Sequence, residues 1–492
     1  MDKVRTAVII ATADKYVSTA ITLVTTAIIA RLINPAEFGV TVLGGAVLLM
    51  ANTLRDVGTS SYIIQAQELT LPKLRAAFTL NLFLTLTILP CLVFAAPALA
   101  SLLNSPGLDI YLKICAIPFA VGAIVYPLHA LLARDFAFGK LAIINITSTI
   151  FNSTALICAA IAGASYLSFA FAQVVSALVG TALLIYFRPS FEIFRPSFSA
   201  WKTVLSFSLF SAFTGIVQRA TEVLSVVAVG AFMPPAMVGL LSRASMIAQF
   251  PERTVMAGVT AAALPAFSEA AREKGDLRKY YLAALERISG LIWPCLALMI
   301  VLANPLIRLF LGNDWLETIP LVQIIAGALL LNFPPGLNYP ILLAVGAVRP
   351  ALLLAVLQAS VVLPVITISA QYGIQAVAWA TWPIVAINVV MSTWFVQAYV
   401  IRFSWLDIGR ALSRSTIATI ATVAGPITIV YLAGGSASIG LKESVLATGV
   451  GGVSWIGSLY LLKHPIYAEF ARILKAVRRK ILRILLPPFE TS

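Results

Sequence analysis

Long apolar runs dominate this chain of 492 residues and set the main limit on its fold. Each run is about twenty residues long, which is the length an α-helix needs to cross the hydrocarbon core of a bilayer. A membrane-spanning backbone must satisfy its own hydrogen bonds, and runs of this length do so as helices. The chain is therefore predicted to be an all-α integral membrane protein. The fourteen predicted spans lie at residues 8–30, 39–57, 76–99, 110–132, 141–163, 165–187, 204–230, 236–264, 288–311, 319–345, 350–371, 375–400, 412–433 and 443–462.

The composition argues against a soluble protein and against a nucleic-acid partner. Only 11% of the residues are charged, whereas soluble domains carry about 25%. The net charge of +14 comes mostly from loops and the C-terminal tail. No basic cluster is interleaved with aromatic residues outside the apolar runs, so a nucleic-acid footprint is not expected.

Motifs for catalysis or cofactor binding are missing from the sequence. The four cysteines, Cys91, Cys115, Cys158 and Cys295, fall in apolar runs without metal-ligand spacing, and we expect no disulfide. There is no Walker loop, zinc motif, GxSxG elbow or catalytic pair of carboxylates. We therefore expect no enzyme activity and no cofactor. Energy would come from an ion gradient, the membrane potential or downstream polymerisation.

The distribution of basic residues predicts the orientation in the membrane. Cytoplasmic loops carry an excess of Lys and Arg, and an N-terminus placed in the cytoplasm puts nearly all loop Lys and Arg on that side. An even number of spans then places both termini in the cytoplasm. The basic residues that fall on the opposite side are Arg31, Lys113, Arg308 and Lys442, all close to span ends.

Two sequence echoes suggest that the chain contains an internal repeat. Asn34-Pro35-Ala36-Glu37-Phe38-Gly39 and Pro234-Pro235-Ala236-Met237-Val238-Gly239 share Pro, Ala and Gly 200 residues apart. Tyr126-Pro127 and Tyr339-Pro340 form a second echo, late in spans four and ten. Two six-span halves would keep the same orientation in the membrane. We predict an N-lobe at 1–187, an inter-lobe linker at 188–203, a C-lobe at 204–401, two further spans within 402–462 and a cytoplasmic tail at 463–492.

Two cytoplasmic segments have amphipathic patterns. Residues 266–287 are predicted to form an amphipathic helix with Leu277, Tyr281, Leu285 and Ile288 on one stripe. The basic tail has an apolar stripe from Phe470 to Leu485 with Lys and Arg between, which suits a helix on the anionic inner leaflet. A docking site for a partner protein is the alternative.

Charged residues inside the predicted spans are the candidate binding residues. A charge near mid-membrane costs about 2.5–3.5 kcal/mol, so such residues usually face a protein interior or a watery cavity. Arg219 and Glu222 share one face of span seven, where they could bind an anionic headgroup or form a purely structural ion pair.

Five further charged residues have competing interpretations. Arg243 in span eight could bind substrate or reach the interface, and Arg253 follows Glu252 near mid-membrane, where only one of the two can face a cavity. Asp14 and Lys15 in span one could line the same chamber, or Lys15 could reach the cytoplasmic interface.

Several uncharged residues inside the predicted spans bear less directly on function. Asn145, Thr149 and Asn152 share a face of span five, where interhelical hydrogen bonds are the usual explanation and sugar contacts the alternative. Pro334-Pro335-Gly336 and Pro340 are predicted to break span ten. His129 and His464 receive no role.

Four motifs in order give the chain a family resemblance. They are the turn Ala30 to Gly39, the stretch Asp56-Val57-Gly58 continuing to Ile63-Ile64-Gln65, the loop Leu132-Ala133-Arg134-Asp135-Phe136-Ala137-Phe138, and the turn Leu311-Gly312-Asn313-Asp314-Trp315. Together they resemble Wzx-type polysaccharide flippases of the multidrug/oligosaccharidyl-lipid/polysaccharide (MOP) exporter superfamily. The resemblance covers most of residues 1–400 and is greatest to the branch serving exopolysaccharides such as succinoglycan or colanic acid.

The resemblance implies a fold, a substrate and a location. The fold would be two six-helix lobes of a MOP-type transporter plus two extra C-terminal transmembrane helices. The substrate would be an undecaprenyl-pyrophosphate-linked oligosaccharide, moved from the inner to the outer leaflet of the bacterial inner membrane by alternating access. A polysaccharide polymerase and a chain-length regulator are the further partners we expect. The family also places cationic residues on the first helix of a lobe, which favours a chamber position for Lys15.

Two other functions remain open at this point. A cation-coupled multidrug exporter of the same superfamily would usually have twelve spans. An integral-membrane polymerase or acyltransferase would need a large external loop or a histidine-bearing active site, neither of which the sequence contains.

Overall fold

The computed structural model describes residues 2–56, 58–197, 201–256, 259, 276–333, 335–436, 438–470 and 472. These parts of the chain are helical and contain no β-strand. Their helices are α1 (Asp2–Ile29), α2 (Pro35–Asp56), α3 (Thr59–Gln65), α4 (Leu71–Leu102), α5 (Gly107–Arg134), α6 (Phe138–Ile161), α7 (Leu167–Phe187), α8 (Trp201–Phe232), α9 (Pro235–Ala248), α10 (Leu277–Val301), α11 (Ala303–Phe310), α12 (Thr318–Leu329), α13 (Pro335–Ala344), α14 (Val348–Ala370), α15 (Ile374–Tyr399), α16 (Trp405–Leu432) and α17 (Leu441–Leu461).

The predicted all-α membrane fold is confirmed. Each of the fourteen apolar runs overlaps a helix or a pair of helices. In span eight, α9 ends at Ala248, and residues 257, 258 and 260–264 lie outside the described residues. Among the described residues, eleven helices are long and apolar enough to cross a membrane, and α9 and α12 are shorter apolar helices. The chain is a multi-pass integral membrane protein. The fourteen crossings and the cytoplasmic position of both termini stay predictions.

Spans nine and ten are each divided into two helices, and proline explains both breaks. Span nine becomes α10 and α11, which separate at Leu302, because the ring of Pro305 would clash with the carbonyl of residue 301 in a continuous helix. Span ten becomes α12 and α13, as predicted, and Pro335 is the first residue of α13. Pro340 lies inside α13 and does not break it, contrary to expectation.

The predicted amphipathic helix at 266–287 is corrected where the structure describes it. Residues from Leu277 onward belong to α10, which continues as an apolar helix to Val301. Asp276 caps this helix, and its carboxylate accepts a hydrogen bond from the backbone N–H of Lys279 at 3.2 Å. Residues 266–275, like most of the predicted tail helix (471 and 473–492), lie outside the described residues.

The first of two compact units comprises Met1–Arg243, Arg308–Thr318 and Leu352–Ala380. Within it α4 packs on α5, α6 packs on α7 and α1, and α8 packs on α2. One apolar cluster holds Leu43, Leu112 and Met233, and another holds Leu128 and Leu184. This unit contains five of the predicted binding residues: Asp14, Lys15, Arg219, Glu222 and Arg243.

The second unit comprises Ala244–Ile307, Ile319–Ala351 and Thr381–Ser492. Here the two C-terminal helices α16 and α17 pack against each other, and α16 packs along α10. The indole N–H of Trp455 donates to the carbonyl of Gly290 at 3.0 Å and helps join α17 to α10. These two units are defined by compactness, whereas the predicted lobes were inferred from the sequence repeat. The lobe boundaries therefore stay a prediction.

Candidate functional site

A charged pair lies near the middle of α8, a helix of 32 residues. Arg219 Nη1 donates to Glu222 Oε2 at 2.8 Å, which is the i, i+3 geometry expected from the sequence. Both side chains are about half exposed, at 54% and 53%. The pair is thus formed, and both side chains stay half exposed.

The pair belongs to a polar face of α8. Gly215 and Gln218 lie on the same face and are also exposed, whereas Val223 on another face is buried. Two ionised groups exposed to hydrocarbon at mid-helix would each cost about 2.5–3.5 kcal/mol. Their exposure indicates that this face of α8 borders water rather than lipid.

Arginine at this face has the chemistry to hold a phosphate. A guanidinium has five N–H donors in a planar fork. Glu222 accepts a hydrogen bond from one of those of Arg219. The remaining donors can form paired hydrogen bonds to phosphate oxygens. Glu222 thus holds the side chain of Arg219 in place and leaves other guanidinium N–H groups able to bind an anion.

Asp14 and Lys15 on α1 separate into two environments. Asp14 is half-buried, and its Oδ2 accepts from Asn145 Nδ2 on α6 at 2.8 Å. The structural interpretation of Asn145 is therefore the one observed, while Thr149 donates within its own helix to the carbonyl of Asn145. Lys15 is exposed. In the described part of the chain, no recorded hydrogen bond or ion pair joins Asp14 or Lys15 to the pair on α8.

Arg243 is buried inside the first unit. It is 3% exposed, and its guanidinium lies over the ring of Phe38, 3.8 Å from the centroid. The Trp315 ring is also within 5.4 Å. In this structure the residue packs between elements of the first unit.

Arg253 and Glu252 point to different partners, as their adjacency on a helix predicts. Arg253 is exposed and donates to Gln249 Oε1 at 2.9 Å, four residues earlier. Glu252 is half-buried, and both of its carboxylate oxygens accept from Asn332 Nδ2, at 3.1 and 3.2 Å. Asn332 was missed by the sequence analysis. Its position beside the proline break that follows α12 was the available signal.

Arg55 was also missed, because its place at the end of span two suggested a cytoplasmic surface charge. Its side chain is 1% exposed and donates to the carbonyl of Phe119 and to Asn52 Oδ1. The guanidinium lies 4.4 Å from the Phe119 ring centroid and 4.6 Å from that of Tyr126. Arg55 therefore joins α2 to α5 inside the first unit.

Two of the sequence motifs meet in space. Arg31 donates to the carbonyl of Leu309 at 2.9 Å, and the indole N–H of Trp315 donates to the carbonyl of Ala30 at 2.8 Å. Asn34 and Glu37 close the turn between them, since each side chain accepts from the other's backbone N–H. The motif turns at 30–39 and 311–315 thus form one structure from residues almost 300 positions apart in the chain.

Comparison with known proteins relates the chain to polysaccharide biosynthesis. Residues 28–320 match the family described as polysaccharide biosynthesis protein. The chain is 23% identical over 307 residues to the lipopolysaccharide biosynthesis protein WzxC of Escherichia coli K12, covering 62% of each chain. It is 25% identical over 312 residues to the succinoglycan biosynthesis transport protein ExoT of Rhizobium meliloti, covering 62% of this chain and 61% of ExoT. Each match spans less than two thirds of the relative's length.

Solved structures share the fold over more of the chain. The lipid II flippase MurJ in an inward closed conformation superposes with a TM-score of 0.72 at 14% identity, covering 94% of this chain and 100% of that one. An inward-facing multidrug resistance MATE transporter of the MOP superfamily gives a TM-score of 0.61 at 17% identity, covering 81% and 95%. At these identities the likeness concerns the fold, and it is the fold expected from the sequence motifs.

Proposed function

The chain belongs to the family of polysaccharide biosynthesis proteins, and from this premise we propose that it is a flippase for lipid-linked oligosaccharides. It would move undecaprenyl-pyrophosphate-linked repeat units from the inner to the outer leaflet of the bacterial inner membrane. The fold supports this proposal, since MurJ and the MATE transporter share it. We propose no chemical reaction for the chain.

The observation that carries the proposal is the exposed polar face of α8. A sugar head cannot cross hydrocarbon, so a flippase must offer it a wet path, and the diphosphate needs a cation on that path. Arg219 supplies a half-exposed cation at mid-helix, held by Glu222. Lys15 and Arg253, both exposed, are proposed as further contacts, with Asp14 held in place by Asn145. Arg243 would join them only in another conformation.

The same site bears on the two alternative functions. A drug exporter for cationic substrates would attract them with an exposed carboxylate, but Glu222 is neutralised by Arg219 at 2.8 Å. A polymerase or acyltransferase would need a nucleophile or a general base, and the carboxylate of Glu222 on the described part of the α8 face is instead paired with Arg219 at 2.8 Å. The proposed partners are the lipid-linked oligosaccharide and, downstream, a polysaccharide polymerase and a chain-length regulator.

The location of the lipid-linked unit in a strain lacking this chain tests the proposal. A flippase defect leaves completed units on the inner leaflet, where externally added glycosidase or lectin cannot reach them in spheroplasts. Re-expression of the chain should restore access and polymer. Units accumulating on the outer leaflet would instead indicate a polymerase, and a normal polymer with increased drug sensitivity would indicate an exporter.

A further inference from the structure

The starts of α10 and α16 and the residues after α17 form one strongly charged end of the second unit. Ion pairs connect these elements: Arg278 with Asp407 at 2.8 Å, Arg287 with Glu469 at 2.7 Å and Arg414 with Glu286 at 3.2 Å. A further carboxylate, that of Asp276, caps α10. The acidic groups that the structure describes at this end are therefore already paired or hydrogen-bonded.

Three more cations at the same end have exposed side chains. They are Lys279 on α10, Arg402 just before α16 and Arg410 on α16. Within the described part of the chain, none of the ion pairs includes any of the three. Since the neighbouring carboxylates are occupied, this end of the unit has a local excess of positive charge, which attracts an external anionic group.

The chain brings the three cations close together. Asp407 on α16 accepts from Arg278, the residue before Lys279 on α10. Arg410 follows Asp407 by three residues, so it lies one helical turn further along α16. Arg402 lies two residues before the N-cap of the same helix.

Arg410 belongs to a face of α16 that is exposed along the whole helix. The exposed residues of this face, each three or four positions apart, are Leu406, Arg410, Ser413, Ile417, Ile420, Ala424, Ile427 and Tyr431. Such spacing places them on one side of an α-helix. From Ile417 to Ile427 the face is apolar, as expected where a membrane helix borders lipid.

The length of α16 places Arg410 at the membrane surface. The helix has 28 residues, which corresponds to about 42 Å, whereas the hydrocarbon core is about 30 Å thick. Its ends therefore extend into the headgroup region, and Arg410 lies in the second turn. A Cβ added to the neighbouring Gly409 would meet nothing within 4 Å, so there is open space beside Arg410.

This arrangement matches the chemistry of a phospholipid. An anionic phosphate lies above the acyl chains, as Arg410 lies beyond the apolar residues of the exposed face. A guanidinium can form paired hydrogen bonds to phosphate oxygens, and basic groups beside membrane helices attract anionic headgroups.

We propose that the start of α16 binds an anionic phospholipid, with its phosphate at Arg410 and its acyl chain along Ile417 and Ile420. Lys279 and Arg402 flank the headgroup. In the predicted topology this lipid belongs to the inner leaflet. The inference goes beyond the proposed function, because it gives a role to a helix that lies outside residues 28–320, the part that matches the family.

Fluorescence quenching beside Arg410 tests the site in the full-length chain. Gly409→Cys carries a fluorophore in a chain whose four native cysteines are replaced by alanine. The protein is reconstituted in phosphatidylcholine vesicles, and the probe is phosphatidylglycerol with a nitroxide on its acyl chain near the glycerol. Phosphatidylcholine with the same nitroxide is the reference. The phosphatidylglycerol probe should quench the fluorophore at a lower concentration than the reference does.

Loss of Arg410 should remove much of this preference. A basic residue near an anionic lipid surface contributes about 1 kcal/mol, so Arg410→Gln should lower the relative affinity for the phosphatidylglycerol probe roughly fivefold. Arg410→Lys keeps the charge and should retain most of the preference. Arg402→Gln should lower the relative affinity in the same direction, which keeps the proposal testable if Arg410→Gln does not accumulate.

Lys442→Gln is the matched control, because it removes an exposed cation at the start of α17, the other end of the hairpin formed by α16 and α17. It should prefer the phosphatidylglycerol probe as the parent does. Equal quenching by the two probes in the parent, an unchanged preference in Arg410→Gln, or the same loss in Lys442→Gln would overturn the site. No lipid-linked sugar is present, so these outcomes are independent of the proposed function.

Discussion

At the scale of single residues, Glu252 illustrates how a carboxylate is kept within an apolar segment. Both of its oxygens accept from one amide, Asn332 Nδ2, while the neighbouring Arg253 is turned toward Gln249. The carboxylate is half-buried, so its stabilisation depends on this neutral donor more than on water. The amide also ties the residues after α12 to the segment that carries Glu252.

Replacing the Asn332 amide by a carboxylate should lower stability more than removing the amide. Asn332→Asp would set two carboxylates within hydrogen-bond distance, whereas Asn332→Ala only deletes the donor. We expect Asn332→Ala to lower the free energy of unfolding by about 1–3 kcal/mol and Asn332→Asp to lower it further at neutral pH. Adding Glu252→Gln to Asn332→Asp should recover most of the loss. Thermal unfolding of the purified protein in detergent measures all three, and an Asn332→Asp variant as stable as Asn332→Ala would contradict the account.

Residue-level predictions from the sequence succeeded where the partner is local. The i, i+3 spacing of Arg219 and Glu222 and the divergence of Glu252 and Arg253 follow from helix geometry alone. The surroundings of Arg243 could not be foreseen in this way. They are set by Phe38 and Trp315, which lie about 200 residues before it and 72 after it in the chain.

At the scale of helices, α10, α16 and the residues that follow α17 meet in one junction. His464, which follows α17, is buried and contacts Ser415 Oγ at 3.2 Å, and Ser289 donates to the same hydroxyl at 2.9 Å. Two ion pairs surround it: Arg287 with Glu469 at 2.7 Å and Arg414 with Glu286 at 3.2 Å. Polar groups thus fix the C-terminal hairpin to α10.

Because of this junction, the free energy of unfolding should decrease as the pH falls. Burial lowers the pKa of His464 below its ordinary value of 6.5, with Arg414 and Arg287 adding to the shift and Glu286 opposing it. Between the two pKa values, His464 is protonated in the unfolded chain and neutral in the folded chain. The free energy of unfolding therefore decreases as the pH falls from the unfolded pKa toward the folded pKa. We expect a lower unfolding temperature at about pH 5.5 than at about pH 7.5, and a smaller difference in His464→Gln. An unchanged difference in the variant would assign the pH effect to other groups.

Helix positions were largely predictable and helix breaks only partly. The apolar runs located every long helix, because a span must be apolar over its whole length. The break at Leu302 was missed, although Pro305 supplies its cause. The start of α10 at Leu277 was missed because the amphipathic pattern before residue 288 looked like a separate helix, whereas Tyr281 and Leu285 are buried against neighbouring helices.

At the scale of the whole molecule, the orientation predicted from charge can be tested directly. Fourteen crossings with a cytoplasmic N-terminus place Gly434-Gly435-Ser436 outside and Arg402 inside. Reporter fusions that are active only in the periplasm should be active after Ser436 and inactive after Arg402. A reversed pattern would invert the predicted topology.

The most direct test of the central claim is translocation by the purified protein. In proteoliposomes containing a pyrophosphate-linked oligosaccharide, the parent should move the sugar head across the bilayer. Loss of a charged hydrogen-bond donor costs about 1.5–3 kcal/mol, so Arg219→Gln should slow translocation by roughly tenfold or more. Lys113→Gln is the matched control, because it removes the cation of another intrahelical ion pair, at 2.8 Å from Asp109, and it should transport like the parent. No translocation by the parent, or an Arg219→Gln variant as fast as the control, would contradict the account.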